Sequence, residues 1–189
     1  MKIAVYPGSF DPLHKGHLAI LQYLTGKGGF DAAYLVVSPQ NPFKDPAKAL
    51  NAQQRFDAAA ATLAKYPGLR ARAEGIELGM TPPNYTIRTL DALRAREPGN
   101  SFSLVMGADN LAGLPRWRCA RRILSQYEVV VYPRPGYDAA AMLDELRRWC
   151  RRGHIRCAVR LIDAPLVDVS STQIRAAMAA GKDVSDLLM

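Results

Sequence analysis

The sequence predicts an α/β fold: a doubly wound parallel sheet with helices on both faces, built as a single domain over residues 1–189. Three observations point there. Short apolar runs recur along the chain, the pattern of strands buried on both faces. They alternate with longer stretches whose apolar residues return every three or four positions, and such alternation implies parallel pairing. Polar clusters rich in glycine and proline follow the apolar runs, and in such a sheet ligands bind beyond the carboxyl ends of the strands.

The elements follow in order. Lys2 to Tyr6 is the first buried strand, ended by Pro7-Gly8. Leu18, Ile20, Leu21 and Leu24 repeat at helical spacing until Gly26, Gly28 and Gly29 stop the helix. Ala32 to Val37 is a second buried strand, leading into the loop S-P-Q-N-P-F-K-D-P. Asn51 to about Lys65 is an alanine-rich helix, and Leu69 to Leu78 alternates as a strand ending in a turn. After the loop M-T-P-P-N, Tyr85 to Arg96 is helical. Ser101 to Met106 is another buried strand, with G-A-D-N-L behind it as a strand-to-helix junction. Tyr127 to Tyr132 is a strand closed by P-R-P-G-Y, and Asp138 to Arg151 is an amphipathic helix. Ala158 to Ile162 is a strand, and Ser171 to Ala180 is a final helix stopped by Gly181.

Composition narrows the class. A chain of 189 residues can bury one substantial core, and 49% hydrophobic with 22% charged residues is globular rather than disordered. No apolar run approaches the roughly 20 residues that span a bilayer, and M-K-I-A-V-Y-P lacks the features of a signal peptide. Cys119, Cys150 and Cys157 form no C-x-x-C pair, which argues against a disulfide framework or a zinc site. Together these predict a cytoplasmic protein without a membrane partner. The net charge of +8 fits nucleic acid or small phosphorylated ligands. Much of the excess lies between Glu145 and Arg160, with only Trp149 as an interleaved aromatic. That segment reads as a solvated helix face plus a loop, with His154 at the surface, so no nucleic-acid partner is expected. A homo-oligomer is compatible with the sequence but not required by it.

The stretch S-F-D-P-L-H-K-G-H-L carries the chemistry. His14 and His17 share a face near a helix start, where unpaired N–H groups and a partial positive charge collect. Gly8 would let a ligand approach the backbone closely. Zinc would need a third ligand, and the remaining histidine, His154, is remote in sequence. A proton-transfer pair would need an orienting carboxylate, for which Asp11 is the local candidate. Phosphate binding therefore leads over an exposed, idle pair. Near the other end, V-S-S-T-Q-I-R places hydroxyls where N-caps belong, with Arg175 following, as a second phosphate cradle.

H-K-G-H resembles the H-x-G-H signature of the nucleotidyltransferase superfamily, and S-S-T-Q-I-R resembles its second signature. S-F-D-P-L-H-K-G-H-L, N-P-F-K, P-N-Y-T-I-R-T-L, M-G-A-D-N-L-A-G-L-P-R-W, Y-P-R-P-G and V-S-S-T-Q-I-R stand in the order found in bacterial nicotinate-nucleotide adenylyltransferases. The resemblance covers nearly the whole chain. It implies a Rossmann-like fold of the nucleotidyltransferase type. It also implies transfer of AMP from ATP to nicotinate mononucleotide, with Mg2+ accompanying ATP and no metal ligands assigned on the chain.

On matching residues, the resemblance makes His14, His17, Lys44 and Arg175 the groups that hold the ATP phosphates. Gly8, Ser9, Phe10, Asp109, Arg134, Ser171 and Thr172 would complete the ATP site, Asp109 toward a ribose. Tyr85, Thr86 and Trp117 would form the nicotinate pocket, Trp117 stacking on the pyridine. Each has a plainer alternative: Trp117 as a core anchor, Tyr85, Thr86 and Asp109 as caps, Lys44 and Arg134 as surface charges. Two features depart from the family. Pro7-Gly8-Ser9 replaces its usual G-G-T or G-G-S, an opening shared with phosphopantetheine adenylyltransferases, which are the alternative enzyme. The chain also ends on G-K-D-V-S-D-L-L-M, where members commonly continue into a further short helix with a tyrosine. A third alternative is a nucleotide-binding sensor that lacks turnover.

Overall fold

The computed structural model describes residues 1–39 and 52–189. Its strands are β1 (Lys2–Gly8), β2 (Ala32–Val37), β3 (Ala71–Glu74), β4 (Ser101–Gly107), β5 (Glu128–Tyr132) and β6 (Val159–Leu161). The helices are α1 (Lys15–Thr25), α2 (Ala52–Ala64), α3 (Thr86–Arg96), α4 (Ala120–Gln126), α5 (Ala139–Arg152) and α6 (Ser171–Ala179). All six strands join one parallel sheet in the order β3-β2-β1-β4-β5-β6. The order reverses direction between β1 and β4, so the chain leaves these neighbouring strands toward opposite sides. A crevice opens above their carboxyl ends, the place where doubly wound sheets bind nucleotides.

Period-two alternation decides which face each strand residue serves. Ala4 and Tyr6 of β1, with Ala33, Leu35 and Val37 of β2, face Ile20, Leu21 and Leu24 of α1 and Ala59 and Leu63 of α2. Ile3 and Val5, with Tyr34 and Val36, face the other way. There they meet Leu90 and Leu93 of α3, Ile123 and Leu124 of α4, and Leu143 and Leu146 of α5. Two cores sandwich the sheet, as the uninterrupted apolar runs predict.

Three stretches differ from the sequence reading, each for a physical reason. β1 continues through Pro7 and Gly8. Its ladder with β4 ends at Val5–Leu104, while pairing with β2 runs on to Gly8–Val37. Pro7 thus sits where β1 is already an edge, the place a strand tolerates proline. The alternating run from Leu69 is a strand only over Ala71–Glu74 and then a 3-10 turn, Ile76–Gly79. Glu74 caps that turn by accepting from the Ile76 N–H at 3.0 Å, and it receives Arg96 at 2.6 Å. No long helix follows G-A-D-N-L directly. Gly113 and Pro115 break the segment into two 3-10 turns, Ala108–Asn110 and Leu114–Arg116, before α4 begins. The last residues also pack: Val184 and Leu188 cluster with Val169 and Ile174, and Leu188 forms an antiparallel bridge with His14.

Candidate active site

His14 and His17 sit at the start of α1, directly above the β1–β4 crevice. His14 is the N-cap, with extended backbone, and His17 is the third helical residue. The His14 N–H donates to Nδ1 of His17 at 3.2 Å. That bond spends Nδ1 as an acceptor, so the neutral His17 ring carries its proton on Nε2. The two rings stack with centroids 3.7 Å apart. Gly16 between them has a steric reason: a Cβ there would lie 3.0 Å from the His14 ring and 3.3 Å from Val169.

Both imidazoles are held neutral. Burial, reinforced by the Arg134 charge, lowers the His14 pKa to about 4. Burial also drives His17 well down, with His14 and Arg134 adding to it. At pH 7 the pair offers neutral N–H donors rather than imidazolium charge. Asp11 does not orient either ring. Its carbonyl accepts from Arg175 at 2.5 Å, and its carboxylate lies 3.9 Å from the same guanidinium. The acid–base alternative therefore lacks its carboxylate, and the donor reading gains.

The two signature segments bind each other. Ser170, not Ser171, is the N-cap of α6; its Oγ accepts from the Gln173 N–H while Gln173 Oε1 accepts from the Ser170 N–H. Ser171 donates to the Pro12 carbonyl at 3.1 Å, and Arg175 also donates to Thr172 Oγ1 at 3.2 Å. The Ser171 hydroxyl and part of the Arg175 fork are thus committed to the Asp11-Pro12 turn. The Ser171 and Thr172 N–H groups, in the first turn of α6, have no intrahelical acceptor and stay available to an anion.

Gly8 has a packing reason as well. On the side where a Cβ would stand, the Phe10 ring lies 2.9 Å away, so only glycine fits beneath it. Phe10 is buried and adopts a φ of 47° to reach this position. The Ser9 carbonyl accepts from Arg55 at 2.8 Å. Arg55, buried on α2, also donates to the Ser38 and Pro39 carbonyls at 2.8 and 2.7 Å, clamping the loops after β1 and β2 together. The sequence reading missed it, although Arg55, Ala59 and Leu63 stand at four-residue spacing on one buried face. Lys44 lies outside the described residues.

Across the crevice, Arg134 pairs with Asp109, Nε to Oδ1 at 3.4 Å. Gly107 makes room for the pair: a Cβ there would stand 2.3 Å from Asp109 Oδ1. Arg134 lies over the Tyr132 ring, 5.6 Å from its centroid. One cavity gathers His14, His17, Tyr6, Tyr132 and Arg134. A neighbouring cleft gathers Asp109, Arg134, Tyr137, Ser170 and Gln173, so Arg134 is a wall of both. Tyr85, Thr86 and Trp117 line neither. Tyr85 is the exposed N-cap of α3, Thr86 opens that helix, and Trp117 packs half-buried against the α3–α4 core. Their loop is braced by Glu77, a second residue the sequence reading missed. Its buried carboxyl, raised by burial, accepts from Thr89 at 2.7 Å, and its carbonyl accepts from Asn84 at 3.1 Å.

Comparisons with known proteins bear on the family and the fold. The cytidylyltransferase-like family model matches residues 5–177. A protein of Cytophaga hutchinsonii named "Probable nicotinate-nucleotide adenylyltransferase" is 37% identical over 188 residues, covering 100% of this chain and 91% of its own length. One of Bacteroides fragilis with the same name is 35% identical over 183 residues, covering 97% of this chain and 85% of its own length. Among solved structures, the Plasmodium falciparum nicotinic acid mononucleotide adenylyltransferase complexed with NaAD superposes with a TM-score of 0.76 at 16% identity. That match covers 98% of this chain and 87% of the other, and at that identity it speaks to the fold. The family model and the full-length relatives together make this chain a member of the cytidylyltransferase-like family, on its nicotinate-nucleotide adenylyltransferase branch.

Proposed function

We propose that this protein transfers the adenylyl group of ATP to nicotinate mononucleotide, yielding deamido-NAD and pyrophosphate. The observation that carries the reading is the neutral histidine pair facing Arg134 across the β1–β4 crevice, with α6 tied to the same turn. The mononucleotide's phosphate is largely ionised at pH 7, because the second pKa of a phosphate monoester is about 6. It attacks the α-phosphorus of ATP in line, and the bond to the bridging oxygen breaks to release pyrophosphate. No general base and no covalent intermediate are needed. The protein's work is alignment and stabilisation of the charge on the leaving group.

His14 and His17 donate N–H bonds to the polyphosphate. Arg134, Arg175, Lys44 and the N–H groups of Ser171 and Thr172 supply the cationic and dipolar remainder. Ser9 and Phe10 form the floor beside β1, and Asp109 faces a ribose. Mg2+ accompanies ATP, where it neutralises phosphate charge. The cavity's own groups are donors suited to phosphate oxygens rather than to a cation, so no residue of this chain is assigned to the ion. Tyr85, Thr86 and Trp117 take the pyridine ring. The first turn of α3 contains no acidic residue, so the Thr86 and Ile87 N–H groups favour the carboxylate of the acid over the neutral amide. No described helix is long and apolar enough to cross a membrane.

The test is pyrophosphate release with ATP and Mg2+, offering nicotinate mononucleotide, nicotinamide mononucleotide or phosphopantetheine. We expect the acid to exceed the amide by roughly tenfold or more in kcat/KM, the scale of one charge-assisted contact. Release with phosphopantetheine alone would assign the runner-up enzyme. Tight ATP binding without release in any mixture would assign the sensor.

A further inference from the structure

Tyr6 and Tyr132 also line the histidine–arginine cavity. They rise from β1 and β5, on the same side of the sheet, and meet across β4. Their oxygens are 3.2 Å apart, and the rings pack edge to face with centroids 5.6 Å apart. Tyr6 is also walled in by Phe10 and His17, at centroid distances of 5.4 and 6.1 Å.

A pair of hydroxyls has two hydrogens and one shared bond. Whichever phenol donates, the other keeps an O–H that has no acceptor among the described residues. A buried donor without an acceptor is costly, and natural structures keep few of them without a use. Here the spare O–H lies in a cavity already walled by two neutral imidazoles and a guanidinium, groups that select an anion. The bond runs from the Tyr6 hydroxyl to the Tyr132 oxygen, so Tyr6 gives the hydrogen and Tyr132 keeps its own. Arg134, two residues on, lies over the Tyr132 ring and would hold an anion beside it.

We propose that the Tyr132 hydroxyl is a further substrate-binding group, donating its O–H to a phosphate oxygen of the nucleotide while Tyr6 fixes its position. This rests on the adenylyltransferase reading only in taking the cavity's ligand to be a polyphosphate. The cavity then stabilises phosphate chiefly with neutral donors, His14, His17 and Tyr132, and with Arg134 as its one described cation. Such donors need no reorganisation as charge shifts toward the leaving group.

Two conservative variants separate binding from scaffolding. Tyr132→Phe and Tyr6→Phe delete the same hydrogen bond and keep both rings, so their thermal unfolding midpoints should fall alike. Only Tyr132→Phe removes the spare donor. Titration calorimetry with Mg-ATP and with inorganic tripolyphosphate should show about tenfold weaker binding in Tyr132→Phe and less than about threefold in Tyr6→Phe. kcat should follow the same order. Equal losses in the two variants would make the pair a scaffold and overturn the proposal, as would unchanged affinity in Tyr132→Phe. Wild-type protein that bound neither polyphosphate would overturn it as well. Wild-type protein that bound both but released no pyrophosphate with nicotinate mononucleotide would sink the adenylyltransferase reading alone.

Discussion

His14 shows how one residue's burial sets both its chemistry and its cost. Its ring is buried against Gly16 and His17, and its Nδ1 has no partner among the described residues. In the unfolded chain the same ring titrates near 6.5, against about 4 when folded. Above pH 6.5 the ring is neutral in both states and imposes no penalty. Between 6.5 and 4 the unfolded chain binds a proton that the folded chain refuses, so stability falls as pH falls. The full effect is on the order of 3 kcal/mol, reached near pH 4. Thermal unfolding of wild type and His14→Gln should therefore converge, or cross, as pH drops from 7 to 4, with wild type losing more. Parallel curves would mean that the ring is not held neutral. The residue types of the site were legible from H-K-G-H, but this neutrality was not, because it depends on burial and on Arg134, which lies 120 positions from His14 in sequence.

At the scale of elements, legibility followed the strength of the local pattern. β1, β2, β4 and β5 stood out because each is an apolar run, and the caps at Asp138 and Ser170 fall within a residue of where the sequence puts them. The stretch after β4 was misread, since Gly113 and Pro115 punctuate a segment whose flanks both favour helix. Arg55 escaped for another reason. An arginine in an alanine-rich helix looks solvated, and only the folded loops after β1 and β2 supply its three carbonyl acceptors. Hydrogen bonds from a charged donor are worth about 1.5–3 kcal/mol each when the alternative is a buried, unpaired group. Arg55→Lys keeps the charge but loses the planar fork that serves two loops at once. We expect it to lower stability by about 2–4 kcal/mol and to raise KM for ATP, because the Ser9 carbonyl would no longer be held. Denaturant unfolding and steady-state kinetics test this. A variant with wild-type KM would confine Arg55 to stability.

Over the whole molecule, the sheet order brings together two segments nearly the full chain apart. Each signature is ambiguous alone: His14 and His17 would be an idle pair, and Ser170 to Arg175 an ordinary capped helix. The fold joins them through Ser171 on Pro12 and Arg175 on Asp11, so the starts of α1 and α6 are tied to one turn. A polyphosphate that bridges them stabilises both at once. At about 100 times its Kd, Mg-ATP should add about 2.7 kcal/mol to the folded state, or roughly 5–10 °C in Tm for a chain of this size. Hydrogen exchange should slow together at the starts of α1 and α6. The arginine-rich end of α5, which lines neither cavity, should be unaffected. Arg175→Ala removes one stitch between the segments and, on the proposed reading, one phosphate ligand. In that variant, a given Mg-ATP concentration should yield a smaller Tm gain, and protection at α1 should weaken along with that at α6. If α1 stayed fully protected while α6 lost protection, the two ends would be independent sites. The coupling that turns two weak signatures into one clamp would then be absent.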